Sequence, residues 1–262
     1  MKLSISNIAW ENIYDKEVYT CLKEYKYDAI EIAPTRFFDN PYDNIDKAEE
    51  YLKELRKEYN LDISSMQSIW YGQQGNIFNE EERIILLEYT KKAIIYAKRL
   101  GIKNLVFGNP KNRTIPKGHN INEVKEFFKT LGEFARSNDT TLSIEPNPTI
   151  YNTNFLNTTY EAFEFVKDIN SIGLKLNVDL GTIIYNNEDI NQLVEYKDYI
   201  NHIHISEPNL DKIIKRDIHR QLKEILNDID YKGYVSIEMK NHNDIRNVKD
   251  TIRYVKDVFY GV

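Results

Sequence analysis

Four short runs of strand character, each ending in a residue able to bind a metal, constrain this chain more than any other feature. They are Leu142-Ser143-Ile144-Glu145, Leu176-Asn177-Val178-Asp179, His202-Ile203-His204 and Val235-Ser236-Ile237-Glu238. Their last residues are spaced 179−145 = 34, 204−179 = 25 and 238−204 = 34 positions apart. One strand, one helix and their loops occupy about 30 residues in a (β/α)8 barrel, so these side chains should converge on one rim. Alternate residues of a barrel strand face the interior. Ser143, Asn177, His202 and Ser236 therefore lie beneath the four terminal residues, and Ile144, Val178, Ile203 and Ile237 face the helices. Barrel interiors are ordinarily filled by branched apolar side chains. A polar column on four strands must be paired internally or with a cation, because unpaired buried polar groups are costly.

The rest of the chain agrees with that period. Strand candidates fall at 2–6, 28–32, 62–67, 103–107, 141–145, 174–179, 201–206 and 234–238. Amphipathic stretches lie between them, clearest at 79–100 and 121–137; in the first, Ile84, Leu87, Ala93, Ile94, Ala97 and Leu100 form an apolar stripe. Eight such alternations predict an α/β fold, a (β/α)8 TIM barrel in one domain over 1–262, with an open doubly wound sheet as the rival. Gly101, Gly173 and Gly233 precede strands, where a left-handed residue closes an αβ loop.

An apolar content of 41% is enough to build a core. No apolar run approaches the ~18 residues of a membrane span, and Met1-Lys2-Leu3-Ser4-Ile5-Ser6 alternates as a strand rather than reading as a signal peptide. A net charge of −6 disfavours a nucleic-acid partner. Cys21 is the single cysteine, which rules out an intrachain disulfide and suits a small buried hydrophobe in a reducing compartment. The expected setting is cytoplasmic and soluble, without membrane or nucleic-acid partners; a homo-oligomer is compatible with the sequence.

Three carboxylates on one rim repel each other unless their pKa values rise or a metal neutralises them. Glu145, Asp179, His204 and Glu238 form a mixed oxygen and nitrogen donor set suited to one divalent metal ion: manganese, cobalt, zinc or magnesium. Such an ion would polarise a ketone oxygen and steady the enediolate left when the neighbouring C–H loses its proton. Loops at the same mouth supply substrate-binding candidates. These are Gln67 after the third strand, Asn109 and Arg113 after the fourth, Asn147 and Tyr151 after the fifth, Glu207 and His219 after the seventh, and Lys240 after the eighth. Arg113 reads as a clamp for phosphate or carboxylate, which a guanidinium binds bidentately. Trp10, Trp70 and Tyr71 are candidates for an apolar wall at the same mouth.

Ser-Ile-Glu-Pro-Asn (143–147), Asn-Val-Asp (177–179), His-Ile-His-Ile-Ser-Glu-Pro (202–208) and Gly-Tyr-Val-Ser-Ile-Glu (233–238) carry a resemblance. They resemble the xylose isomerase-like TIM barrel superfamily, which holds sugar phosphate isomerases and epimerases together with endonuclease IV-type AP endonucleases. The likeness spans essentially the whole chain. It implies Glu145, Asp179, His204 and Glu238 as ligands, with Glu145 and Glu238 doubling as acid and base on opposite faces of the substrate carbon. The implied activity is that of a metal-dependent isomerase or epimerase of a sugar or sugar phosphate, acting by proton transfer next to a carbonyl. Other uses of the architecture are a dehydratase or lyase on a cyclic polyol ketone, an AP endonuclease, and a non-catalytic metal- or sugar-binding barrel. The nucleases add histidines where this chain has Gln67, Asn109 and Thr182, although Asp217-Ile218-His219 keeps their Asp-x-His pair. The keto-sugar 3-epimerases usually carry His at the place of Thr182 and Arg near Leu210, so this chain departs from a standard free keto-hexose site.

Overall fold

Each expected strand forms in a computed structural model that describes residues 1–261, its ends shifted by at most two residues. They are β1 Lys2–Ile5, β2 Ala29–Ile32, β3 Asp62–Met66, β4 Leu105–Phe107, β5 Leu142–Ile144, β6 Leu174–Asp179, β7 Ile200–Ile205 and β8 Tyr234–Ile237. All pair in parallel, in the order β1-β8-β7-β6-β5-β4-β3-β2. The seam between β1 and β2 is drawn together by a parallel bridge of Ser6 with Glu31 and a 3.1 Å bond from Asp28 N to Leu3 O. With a helix after each strand, this is a single-domain (β/α)8 TIM barrel.

The helices are α1 Asp15–Glu24, α2 Ile45–Glu54, α3 Glu80–Leu100, α4 Lys125–Ser137, α5 Thr159–Ile169, α6 Leu180–Asn186, α7 Asp217–Asp228 and α8 Ile245–Tyr260. Their ends follow local chemistry. The Asn79 side chain caps α3 by accepting from Glu82 N at 3.1 Å, and Glu80, Glu81 and Glu82 complement the positive end of the helix dipole. Gly101 closes the same helix at φ 72°. Gly173 and Gly233 are not left-handed, contrary to expectation; they are needed for space. A Cβ on Gly173 would lie 2.0 Å from Gly132 O of α4, and one on Gly233 would lie 2.4 Å from the Tyr231 hydroxyl.

The strand faces divide as the parity predicts. Ile144, Val178, Ile203 and Ile237 are fully buried against the helices, whose apolar stripes include Phe128, Phe165 and Leu222. The inward column is polar and equally buried. Low in the barrel, Asn104 Oδ1 accepts from Ser143 Oγ at 2.5 Å and from Asn201 Nδ2 at 2.6 Å, and Asn104 Nδ2 donates to Ser65 Oγ at 2.9 Å. The β6–β7 ladder shifts register between Leu176 and Asn177, which brings Asn177 opposite His202 and Asp179 opposite His204. No helix among the described residues is long and apolar enough to cross a membrane.

Candidate metal centre and active site

Glu145, Asp179, His204 and Glu238 meet at the C-terminal mouth of the barrel, and one ligand atom from each lies within 4.8 Å of all the others. His204 Nδ1 is 2.7 Å from Glu145 Oε1 and 3.1 Å from Glu238 Oε2. Asn177 Nδ2 donates to Glu145 Oε1 at 2.7 Å, so a residue one step below the rim orients one of its carboxylates. Asp179 ends β6 and caps α6: its Oδ2 accepts from Thr182 N at 2.8 Å and from Thr182 Oγ1 at 2.7 Å. Ser206 Oγ donates to the other oxygen, Oδ1, and also accepts from Gly181 N at 2.8 Å. Gly181 is required there, since a Cβ would come 2.9 Å from Ser206 Oγ.

The electrostatics ask for a cation. Burial pushes the Glu145, Asp179 and Glu238 carboxyls above the usual carboxylate range, and the neighbouring acids push the same way. Burial alone would lower the pKa of His204, but Glu238, Glu31 and Glu145 outweigh it and raise the imidazole well above its ordinary value. A site that gathers three acids around one imidazole nitrogen fits a divalent ion of oxygen and nitrogen preference, which would take the charge that a proton otherwise supplies.

A cavity of about 240 Å³ opens over these groups. Gln67, Asn109 and Asn147 line it, along with Tyr151, Ser68, Gly108, Ile8, Val106, Pro110 and Leu210. Asn109 Oδ1 is buried without a protein partner. Gln67 is tied down by a 2.9 Å bond from its Nε2 to Ser6 Oγ.

Other sequence candidates sit elsewhere. Arg113 is not an open clamp: it is fully buried behind the cavity wall, with Nη2 donating to Glu145 O at 2.8 Å and Asn147 Oδ1 at 2.6 Å. Its guanidinium lies 5.7 Å from the Phe107 ring and 5.4 Å from the Phe155 ring. Burial draws its pKa down to about 9. Glu207 is engaged by Arg216, whose Nε and Nη2 donate at 2.8 and 2.7 Å. His219 is buried outside the cavity lining, its Nδ1 2.7 Å from the Tyr254 hydroxyl, and burial lowers its pKa to about 4. Lys240 is exposed and its Nζ donates to Asn209 O at 3.3 Å. Nor do Trp10, Trp70 and Tyr71 form the apolar wall. Trp70 Nε1 donates to Thr90 Oγ1 at 2.8 Å in the core, Trp10 Nε1 to Asp15 Oδ1 at 2.8 Å, and Tyr71 is exposed. Ile8, Val106, Pro110 and Leu210 take that place.

Sequence reasoning missed Ser206 and Glu31. Glu31 Oε2 lies 3.1 Å from His204 Nε2. A signal existed, since Ala29-Ile30-Glu31-Ile32 puts one acid in an otherwise apolar strand.

Fold and site together define a (β/α)8 barrel with a buried cluster of three acids and one histidine at its C-terminal mouth that could hold a metal ion. The family model for the xylose isomerase-like TIM barrel matches residues 21–258, and the chain belongs to that family. No curated protein matches the chain. Among solved structures, it is similar to 3-keto-D-glucoside 4-epimerase YcjR from E. coli in its apo form, at 20% identity and TM-score 0.78, covering 98% of this chain and 99% of that one. It is also similar to D-psicose 3-epimerase from Clostridium cellulolyticum H10 with D-tagatose, at 16% identity and TM-score 0.79, covering 99% and 98%. L-ribulose 3-epimerase matches at 15% identity and TM-score 0.72, covering 98% and 91%.

Proposed function

We propose that the protein is a metal-dependent epimerase of an uncharged keto-sugar or keto-glycoside, inverting a carbon next to the carbonyl by two-sided proton transfer. The observation that carries this reading is the placement of Glu145 and Glu238, from the fifth and eighth strands, on the same His204 nitrogen at the floor of the cavity. A divalent ion held by Glu145, Asp179, His204 and Glu238 would supply Lewis-acid polarisation of the substrate carbonyl. One glutamate then takes the proton from the adjacent carbon, and the other returns a proton to the opposite face. A carboxylate that also binds a metal is a weaker base, so both roles demand close positioning against the proton transferred.

The cavity wall supports the substrate class. Among the described residues, no Lys or Arg lines it, so nothing there pairs a phosphate. Asn109, Asn147 and the Tyr151 hydroxyl can bond sugar hydroxyls, while Ile8, Val106 and Leu210 offer an apolar lip to C–H faces or to an aglycone. The neighbours of like fold are named for keto-sugar substrates, including a 3-keto-D-glucoside. Proton NMR of the manganese-loaded protein mixed with neutral ketoses, 3-keto-glycosides and their phosphorylated counterparts tests the reading. Formation of an epimer from a neutral member is expected. Turnover of phosphorylated sugars alone, or an α,β-unsaturated product formed with loss of water, would overturn it.

A further inference from the structure

One carboxylate beneath the metal-type rim is aimed at the histidine of that rim. Glu31 on β2 is fully buried, and its Oε2 sits 3.1 Å from His204 Nε2 while His204 turns Nδ1 towards Glu145 and Glu238. His202 Nε2 approaches the same oxygen at 3.0 Å, but off the line of a good hydrogen bond, so the directed bond belongs to His204. The two imidazoles come from positions i and i+2 of β7, and their planes stand 88° apart with centroids 5.3 Å apart. His202 thus braces Glu31 from the side. Two ladders shift register at this level, β2–β3 between Ile30 and Glu31 and β6–β7 between Leu176 and Asn177. Irregularities of this kind re-aim side chains next to active sites.

A neutral imidazole carries one N–H and one lone pair. If Nδ1 is to face a cation, the proton must sit on Nε2, and at a fully buried position that N–H needs a protein acceptor. Glu31 Oε2 is placed to be that acceptor. We infer that Glu31 is a positioning residue of the metal centre: it receives the Nε2 proton of His204, fixes the tautomer that frees Nδ1, and sets the plane of the ring. This rests on the metal reading of the rim. A second cation held by Glu31, His202 and His204 would be a competing use of the same three groups.

Cobalt titration of metal-free wild type, Glu31→Gln and Glu31→Ala separates these outcomes, followed by calorimetry and by the visible absorption of the bound ion. Imidazole ¹⁵N spectra of the zinc-loaded wild type add a readout that needs no variant. We expect one equivalent in wild type, affinity ~10–100-fold weaker in Glu31→Ala, a smaller loss in Glu31→Gln, which keeps an acceptor, and the His204 proton on Nε2. Equal affinity in folded variants, or a His204 proton on Nδ1 in the zinc protein, overturns the positioning role while leaving the metal site standing. A second equivalent lost in Glu31→Ala also overturns it. Wild type that binds no cobalt overturns the metal reading and this inference with it. Should both variants fail to fold, the wild-type spectra decide.

Discussion

Gly108 stands directly against Glu145: a Cβ on residue 108 would lie 2.6 Å from Glu145 Oε2. The end of β4 therefore leaves the space into which the Glu145 side chain, just past β5, fits. The carboxylate has little room to retreat, since Asn177 and His204 hold its other oxygen at 2.7 Å each. Gly108→Ala is expected to leave the barrel folded and to displace Glu145, lowering turnover by ~10²-fold, the usual result of misplacing a reacting group by about 1 Å. Steady-state kinetics beside a thermal melt check this; unchanged turnover would mean that Glu145 can rotate away freely.

Arg113 holds the site from behind. Arg113→Lys keeps a charge but cannot reproduce the paired bonds to Glu145 O and Asn147 Oδ1. A loss of ~1.5–3 kcal/mol in urea unfolding is expected, the worth of a hydrogen bond from a charged group. Turnover should fall for every substrate alike. A selective rise in KM for anionic substrates would instead restore Arg113 as a clamp.

Leu210 lines the cavity at its lip. Placing a guanidinium there with Leu210→Arg should improve kcat/KM for a phosphorylated sugar relative to its neutral parent by about 10-fold or more, from one new charge-assisted contact. Competition assays with the two substrates give the ratio directly. An unchanged ratio would mean that the lip does not reach the substrate.

Metal content tests the charge argument. Protein purified without chelator should carry about one equivalent of divalent metal. Stripping the metal should lower the melting temperature, because an ion at 100 times its Kd stabilises by ~2.7 kcal/mol. Three equivalents by elemental analysis would favour a nuclease-like cluster.

The barrel and its four rim residues were legible because both are periodic. Strand, helix and loop repeat at a nearly fixed length, and the inward parity of β5 to β8 places Ser143, Asn177, His202 and Ser236 under Glu145, Asp179, His204 and Glu238. What closes over the rim is not periodic. A loop cation such as Arg113 reads the same whether it faces solvent or folds back between Phe107 and Phe155, two rings far apart in the chain. Glu207 looked free because Arg216, nine residues on, belongs to the following loop. Trp70 looked like a sugar-stacking ring because its true partner, Thr90, sits on the face of α3 that packs inward. Glu31 carried a parity signal, but its meaning depends on which strand lies across the barrel, and only the closed sheet shows that to be β7.

The most direct measurement of the two-glutamate reading is deuterium incorporation from solvent, followed by mass spectrometry during turnover of an accepted keto-sugar. Wild type should place deuterium at the carbon next to the carbonyl. Glu145→Gln and Glu238→Gln should each retain metal while losing turnover by ~10²–10⁴-fold, the usual worth of a general acid or base. If either variant keeps its metal and turns over near the wild-type rate, that glutamate is a ligand alone and two-sided proton transfer is contradicted.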